Sequence, residues 1–369
     1  MIINNMRCYL DYNASAPMNE RVKNYVKEIM DMHGNPSSVH TKGRKLKNLL
    51  EISRQRIALL TNCNQKNVIF TSGATEANNL ALNGYKKKIV STIEHESIKK
   101  QKNTIPIDVN NEGYIDLVML ENILKSIEKK EEIIVSVMFA NNETGIIQPI
   151  EKIIKITKIY QVPFHTDAVQ VVGRLNINFL KLGIDMMTIS SHKIGGPSGA
   201  GALIVNSKKH ILKPLLLGGD QEDSLRSGTE PLLAIAGFGQ AAELLDIKQI
   251  EKLKILRMGF EKKLKKAKLG IQIIGENSNR LPNTFMMYTP GIKAEDLLIA
   301  LDLEGFDVST GSACSSGKAE PSIVLKRMGY PKKIASGVIR ISLGLYNDMN
   351  EADMLVNALE KILKRFGKI

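Results

Sequence analysis

The chain has no tryptophan, 5% aromatic residues and only three cysteines in 369 positions. So few aromatic rings leave little material for the stacking platforms that hold single-stranded nucleic acid. Cys8, Cys63 and Cys314 are an odd and sparse set, which argues against a disulfide framework and for a reducing, cytoplasmic compartment. Long apolar runs are missing too. The longest, Ile133 to Ala140 and Ala200 to Val205, are strand-sized, well short of the roughly 18 residues that span a bilayer. The amino terminus, MIINNMRCYLDY, has neither the basic start and apolar stretch of a secretory signal nor an Arg/Ser-rich amphipathic segment. No membrane partner is expected.

What is present is ordinary for a folded protein: 43% hydrophobic and 24% charged residues, with 28 Gly and 12 Pro. The length predicts about two domains. A balance of 51 Lys+Arg against 38 Asp+Glu leaves a charge of +13, which favours acidic partners. The lysines are nevertheless dispersed (86–88, 262–268, 361–368) at helical spacing beside apolar residues, the pattern of solvated helix faces. Direct nucleic-acid contact is therefore not expected.

Apolar periodicity predicts helices over 19–32, 45–60, 117–127, 150–160, 231–245 and 251–268. Short apolar runs predict strands over 67–71, 88–92, 132–139, 163–167, 185–190 and 200–205. Their alternation implies an α/β fold whose large domain, 15–250, has a mostly parallel central sheet flanked by helices. Residues 1–14 and 251–369 are assigned to a smaller α+β domain carrying the loop of Cys314.

In such sheets ligands gather outside the carboxyl ends of the strands. Those ends read TSGAT (71–75), EHES (94–97), ANNETG (140–145), HTDAVQ (165–170) and SHKIGGPSGAG (191–201), five polar clusters expected at one edge. Ser72, Gly73 and Thr75 stand between strand and helix, where amides and a hydroxyl suit a phosphate or serve as a plain N-cap. Asp167 ends an apolar strand, where a carboxylate needs a partner; a protonated pyridine nitrogen would serve, as would a turn. Lys193 follows a strand and precedes glycines and small residues, a setting for a Schiff-base lysine or for a solvated loop. His95 suits stacking or proton relay, and His165 reads as structural. Cys314 lies among small polar residues in DVSTGSACSSGKAEP, an expected exposed loop, while Cys8 and Cys63 have ordinary contexts. Arg340, in GVIRISLG, alternates with apolar residues and could grip a carboxylate in two-point contact or stand as a surface arginine.

Taken in order, DYNASAP (11–17), GNPSSVH (34–40), TSGATEANN (71–79), EHES, NNETG, HTDAVQ, SSHKIGGPSGAGAL, RSGTE (226–230), GSACSS (311–316) and IRISLG resemble the cysteine desulfurases. These are class V aminotransferases, fold type I enzymes of pyridoxal 5'-phosphate (PLP). The resemblance implies that Lys193 carries PLP as a Schiff base, His95 stacks on its ring, Asp167 pairs with its nitrogen and Gln170 meets its hydroxyl. It further implies that Ala74, Thr75, Ser190 and His192 bind the phosphate, with Thr229 reaching it from the second subunit of a homodimer. Asn35, Asn142 and Arg340 are implied at the cofactor side or the substrate carboxylate. Cys314 would then take sulfur from L-cysteine as a persulfide, leaving L-alanine. The alternative within the group is a selenocysteine lyase or another PLP lyase or aminotransferase.

Implied acceptors are an iron–sulfur scaffold or a tRNA-thiolation protein, and no metal site is implied beyond a transient iron–sulfur contact at Cys314. Two departures stand out. GGDQEDSLRSGT replaces a glycine run before the RSGT motif, so Asp220 and Asp223 add negative charge near the implied subunit contact. The expected last helix runs almost to Ile369, without the tail some relatives use to dock the scaffold.

Overall fold

The computed structural model describes residues 7–206, 211–246, 248–311 and 320–369. Its strands in chain order are β1 (Cys8–Tyr9), β2 (Val68–Thr71), β3 (Lys87–Ser91), β4 (Thr104–Ile107), β5 (Ile133–Ser136), β6 (Phe164–Asp167) and β7 (Met186–Ser190). There follow β8 (Gly201–Val205), β9 (Gln272–Ile274), β10 (Thr284–Tyr288), β11 (Phe306–Asp307), β12 (Ser309–Thr310) and β13 (Val338–Ser342).

Seven strands form the large sheet in the order β2-β8-β7-β6-β5-β3-β4, and only β8 runs against its neighbours. Strands β5, β6, β7 and β8 are buried along their whole length, as a sheet covered on both faces requires. The expected strands all form, five of them trimmed by a residue or more and β3 shifted by one residue. Strand β4 was not foreseen: Pro106 interrupts its apolar run, and a residue without an N–H is tolerated here because β4 is an edge strand.

The helices begin where local chemistry satisfies their first N–H groups. Asn19 accepts from Arg21 before helix Glu20–Ile29, and Asp116 accepts from Val118 and Met119 before Leu117–Ser126. Asp348 and Glu351 cap Met349–Arg365 reciprocally. A second core gathers Cys8, Leu10, Leu256, Phe260, Phe285, Leu297, Ile341 and Leu359. It lies between the antiparallel sheet β12-β13-β10-β9 and helices Lys248–Lys266, Ala294–Leu303 and Met349–Arg365. Pairing of β1 with β11 draws the start of the described chain into this core. No helix among the described residues is long and apolar enough to cross a membrane.

The GGDQEDS segment is anchored by the glutamate between its two aspartates. Asp220 and Asp223 are exposed, whereas the Glu222 side chain is only 1% exposed and pairs with Arg54 at 2.7 Å. Glu222 also accepts the Phe70 N–H at 2.8 Å, so it fastens the loop to β2.

His165 is structural, as read. Its ring sits in β6 with Nδ1 2.8 Å from Ser136 Oγ and Nε2 3.0 Å from Thr188 Oγ1. Burial pushes its pKa down to about 3. The unfolded chain takes up that proton near pH 6.5, so His165 contributes stability in full above that value and loses it as pH falls toward 3. Denaturant titrations of the wild type and His165→Asn should show a stability difference that shrinks by about 1.4 kcal/mol per pH unit between roughly pH 6 and 4.5. A pH-independent difference would contradict the depressed value.

Candidate active site

One cavity of about 680 Å³ opens at the carboxyl ends of the parallel strands. Ala74, Thr75, His95, Asn142, Asp167, Gln170, Ser190, His192, Lys193 and Arg340 all line it, so five separate strand ends meet as the sequence pattern required. Asn35 and Thr229 do not. Asn35 turns back on its own loop, accepting the Ser37 N–H at 2.8 Å, and Thr229 is exposed away from the cavity of its own chain. Cys314 falls outside the described residues, but Ser309 and Gly311, on the chain leading to it, form part of the wall.

Asp167 ends β6, buried and held from two sides: Asn78 Nδ2 donates to Oδ2 at 2.8 Å, and the Val169 N–H donates to Oδ1 at 3.0 Å. The same Asn78 amide donates to Ser97 Oγ at 2.9 Å. The Ser97 N–H in turn donates to His95 Nδ1 at 3.2 Å, so a neutral His95 ring carries its proton on Nε2. Helix Ala74–Asn83 therefore orients both Asp167 and His95. Its start lies against β8 because Gly201 has no side chain: a Cβ there would come within 2.6 Å of the Gly73 carbonyl carbon. Ser72, Gly73 and the first residues of the helix line the cavity at its positive end, beside Ser190 and His192, with the Ser72 N–H donating to Glu76 Oε2 at 2.8 Å. Ser190 Oγ lies 3.2 Å from His192 Nδ1, and burial together with Lys193 lowers the His192 pKa, which favours the neutral ring.

Lys193 reaches across the cavity to the segment before the first helix, its Nζ donating to Asn13 O at 2.6 Å and Ala14 O at 2.8 Å. Asn13 O also accepts from Gln170 Nε2 at 3.1 Å. Gln170 is fixed by Arg174, which donates to its side-chain oxygen and, at 2.9 Å, to its carbonyl. Burial, with Arg340 adding to it, pulls the Arg174 guanidinium down to about 9. Arg340 donates to Asn142 O at 3.1 Å and pairs with Asp11 at 2.6 Å, while its buried Nε has no partner. Both terminal nitrogens of the expected clamp are thus engaged, one by Asn142 O and one by Asp11.

Asn13, Asn78, Asp11 and Arg174 were not singled out from the sequence. Asn13 and Asp11 lie in DYNASAP and Asn78 in TSGATEANN, but no spacing rule tells a supporting amide from a cap. Arg174 gave no signal beyond its isolation among apolar residues.

The aminotransferase class-V family model matches residues 8–355. The chain belongs to this family, among its cysteine desulfurases. It is 39% identical to cysteine desulfurase IscS of Dictyoglomus turgidum, covering 98% of this chain and 95% of the relative. To cysteine desulfurase IscS 1 of Archaeoglobus fulgidus it is 38% identical over 97% of each chain. The solved NifS-like protein of Rickettsia africae is 40% identical and superposes with a TM-score of 0.89 over 97% of this chain and 99% of its own. SspA, solved in complex with cysteine, is 30% identical with a TM-score of 0.79 over 92% of this chain and 100% of its own.

Members of this family depend on PLP, and the donor set of this class V cavity fits that group. A buried carboxylate on two hydrogen bonds suits a pyridinium nitrogen, a lysine amine suits a Schiff base, and a helix start with Ser190 and His192 suits a phosphate. When bound, PLP supplies the electron sink for charge developing on a substrate carbon. The protein's share would be to hold: Asp167 and Arg340 from the cavity wall, Arg174 from behind through Gln170, with Lys193 placed to move a proton. Borohydride treatment of the PLP-loaded protein followed by peptide mass mapping should find the reduced adduct on Lys193. An adduct on any other lysine would overturn this arrangement.

Proposed function

We propose that this chain removes sulfur from L-cysteine with PLP, giving L-alanine and a persulfide on Cys314 that a sulfur acceptor collects. The carrying observation is the single cavity in which Lys193, Asp167, His95 and Arg340 meet and whose wall includes Gly311, on the approach to Cys314. The Cys314 thiolate attacks the substrate sulfur; an S–S bond forms as the Cβ–S bond breaks, with its electron pair kept on carbon. A proton then completes the methyl group of alanine. Arg340 holds the substrate carboxylate, sharing its guanidinium with Asp11, and Lys193 removes and returns protons.

The remaining thiols support giving this role to Cys314. Burial pushes the Cys8 thiol up to about 11 and raises that of Cys63, so both stay protonated near neutral pH. Cys314→Ser should abolish persulfide and alanine formation from L-cysteine while leaving PLP absorbance intact. Full sulfur transfer by that variant would sink the reading, and undiminished turnover of selenocysteine alone would favour the lyase alternative.

The working form in this proposal is a homodimer in which Thr229 of one subunit meets the phosphate of the other. Three features support it: Thr229 is exposed away from its own cavity, Leu217 just before its loop is 84% exposed, and Val39 beside GNPSS is 87% exposed. Hybrids made by mixing Lys193→Ala protein with Thr229→Glu protein should regain activity, because each hybrid then holds one site with both native residues. No gain would place Thr229 outside the phosphate site. The IscS names of relatives support an iron–sulfur scaffold as acceptor, with a tRNA-thiolation protein as the other candidate, and the unpaired thiols of Cys8 and Cys63 suit the cytoplasm.

A further inference from the structure

Glu143 is a buried carboxylate with no part in the chemistry above. It lies in the ANNETG loop after β5, which is stiff: Asn141 Oδ1 accepts the N–H groups of Glu143 and Thr144, both at 3.0 Å. From that platform Glu143 Oε2 accepts from Ser322 Oγ at 2.6 Å. The same oxygen packs against Gly311, so closely that a Cβ added there would collide with it and would also come within 3.2 Å of Ser322 Cβ and Met286 Cε.

Gly311 and Ser322 flank residues 312–319, which include Cys314. Both flanks are otherwise built into the fold. Ser309 and Thr310, just before Gly311, pair with Arg340 and Ile339 in β13, and Ser322 Oγ caps helix Ile323–Arg327 by accepting the Leu325 N–H at 3.2 Å. One carboxylate therefore touches the outgoing and the returning chain. Burying it is costly, and that cost is visible: burial pushes its pKa up to about 7, against the opposing pull of Ser322, Arg340 and Lys99. A side chain serving only to fill space here would be apolar.

We infer that Glu143 is a positioning residue that ties together the two chain ends flanking residues 312–319 and so sets the approach of Cys314 to the substrate sulfur. It acts on the geometry of the thiol's attack and not on the cofactor. The inference rests on the desulfurase reading, and its test separates the two.

The test compares PLP-loaded wild type with Glu143→Ala, Glu143→Gln and Cys314→Ser on two substrates. L-Cysteine needs the thiol to take its sulfur. L-Cysteine sulfinate does not: its Cβ–S bond breaks with the pair kept on carbon, SO2 leaves to become sulfite, and a proton completes alanine. Glu143→Ala should lower alanine formation from cysteine by about tenfold or more in kcat, with KM and sulfinate turnover changed by less than about threefold. Glu143→Gln, which keeps an oxygen for Ser322, should recover most of the lost rate. Equal losses on both substrates would make Glu143 a general support of the cavity and overturn the inference, as would no loss on either. If Cys314→Ser still forms alanine from cysteine, the desulfurase reading itself fails. If Cys314→Ser is inactive on cysteine while Glu143→Ala is not, only the role of Glu143 falls.

Discussion

The site depends on the buried amide of Asn13. Its Nδ2 donates to Thr284 Oγ1 at 3.0 Å in β10 and to Asn142 O at 3.2 Å beyond β5. Its Oδ1 accepts from Asn283 at 3.2 Å, its N–H donates to Ser342 Oγ at 3.0 Å, and its carbonyl serves Gln170 and Lys193 together. Nearly every donor and acceptor the residue owns is used, which is the condition under which a buried polar group rigidifies a structure instead of weakening it. The short stretch after β1 is thereby fastened to both sheets at once. Lys193 and Gln170, which follow the ends of β7 and β6 in the large sheet, take their positions from a residue that belongs to neither segment.

Charge is arranged around that fixed point. Arg340 and Lys193 line the cavity together with Asp11 and Asp167, and Arg174 stands behind Gln170, each hydrogen-bonded on its own terms. Further negative charge nearby is suppressed. Burial holds the Glu94 carboxyl well above its ordinary range even though it accepts the Met138 N–H at 2.6 Å, and the charge of Asp167 adds to the rise. A neutral Glu94 is thereby favoured beside Asp167.

How much of this could be read beforehand follows from what each feature depends on. The large sheet was legible because fully buried strands write continuous apolar runs, and the site because a parallel sheet sends its strand ends to one edge. Strand β4 was hidden by Pro106, whose missing N–H matters only if the strand has neighbours on both sides. The anchoring of the GGDQEDS loop was hidden as well. Net charge along a segment does not reveal that Glu222 turns inward to Arg54 while the aspartates on either side face solvent. Asn78 and Asn13 were invisible because Asp167 lies 89 residues from Asn78 and Thr284 lies 271 from Asn13, and local pattern carries nothing about such contacts. The placement of Asn35 and Thr229 off the cavity likewise depends on how the whole surface is used.

The condition of Cys8 and Cys63 bears on the fate of the cargo. A protein that handles sulfur in its reactive zero-valent form must also keep it from wandering, since any thiolate within reach can capture it. Cys8 sits in the second core beside Glu351 and Asp348, whose negative charge adds to the effect of burial, and Cys63 is held by burial alone against a hydrogen bond from Thr61. Both remain thiols at the pH where exchange is fast. Around the cysteines the fold behaves as insulation, and sulfur loaded at one point on this chain has no second landing place among the residues described.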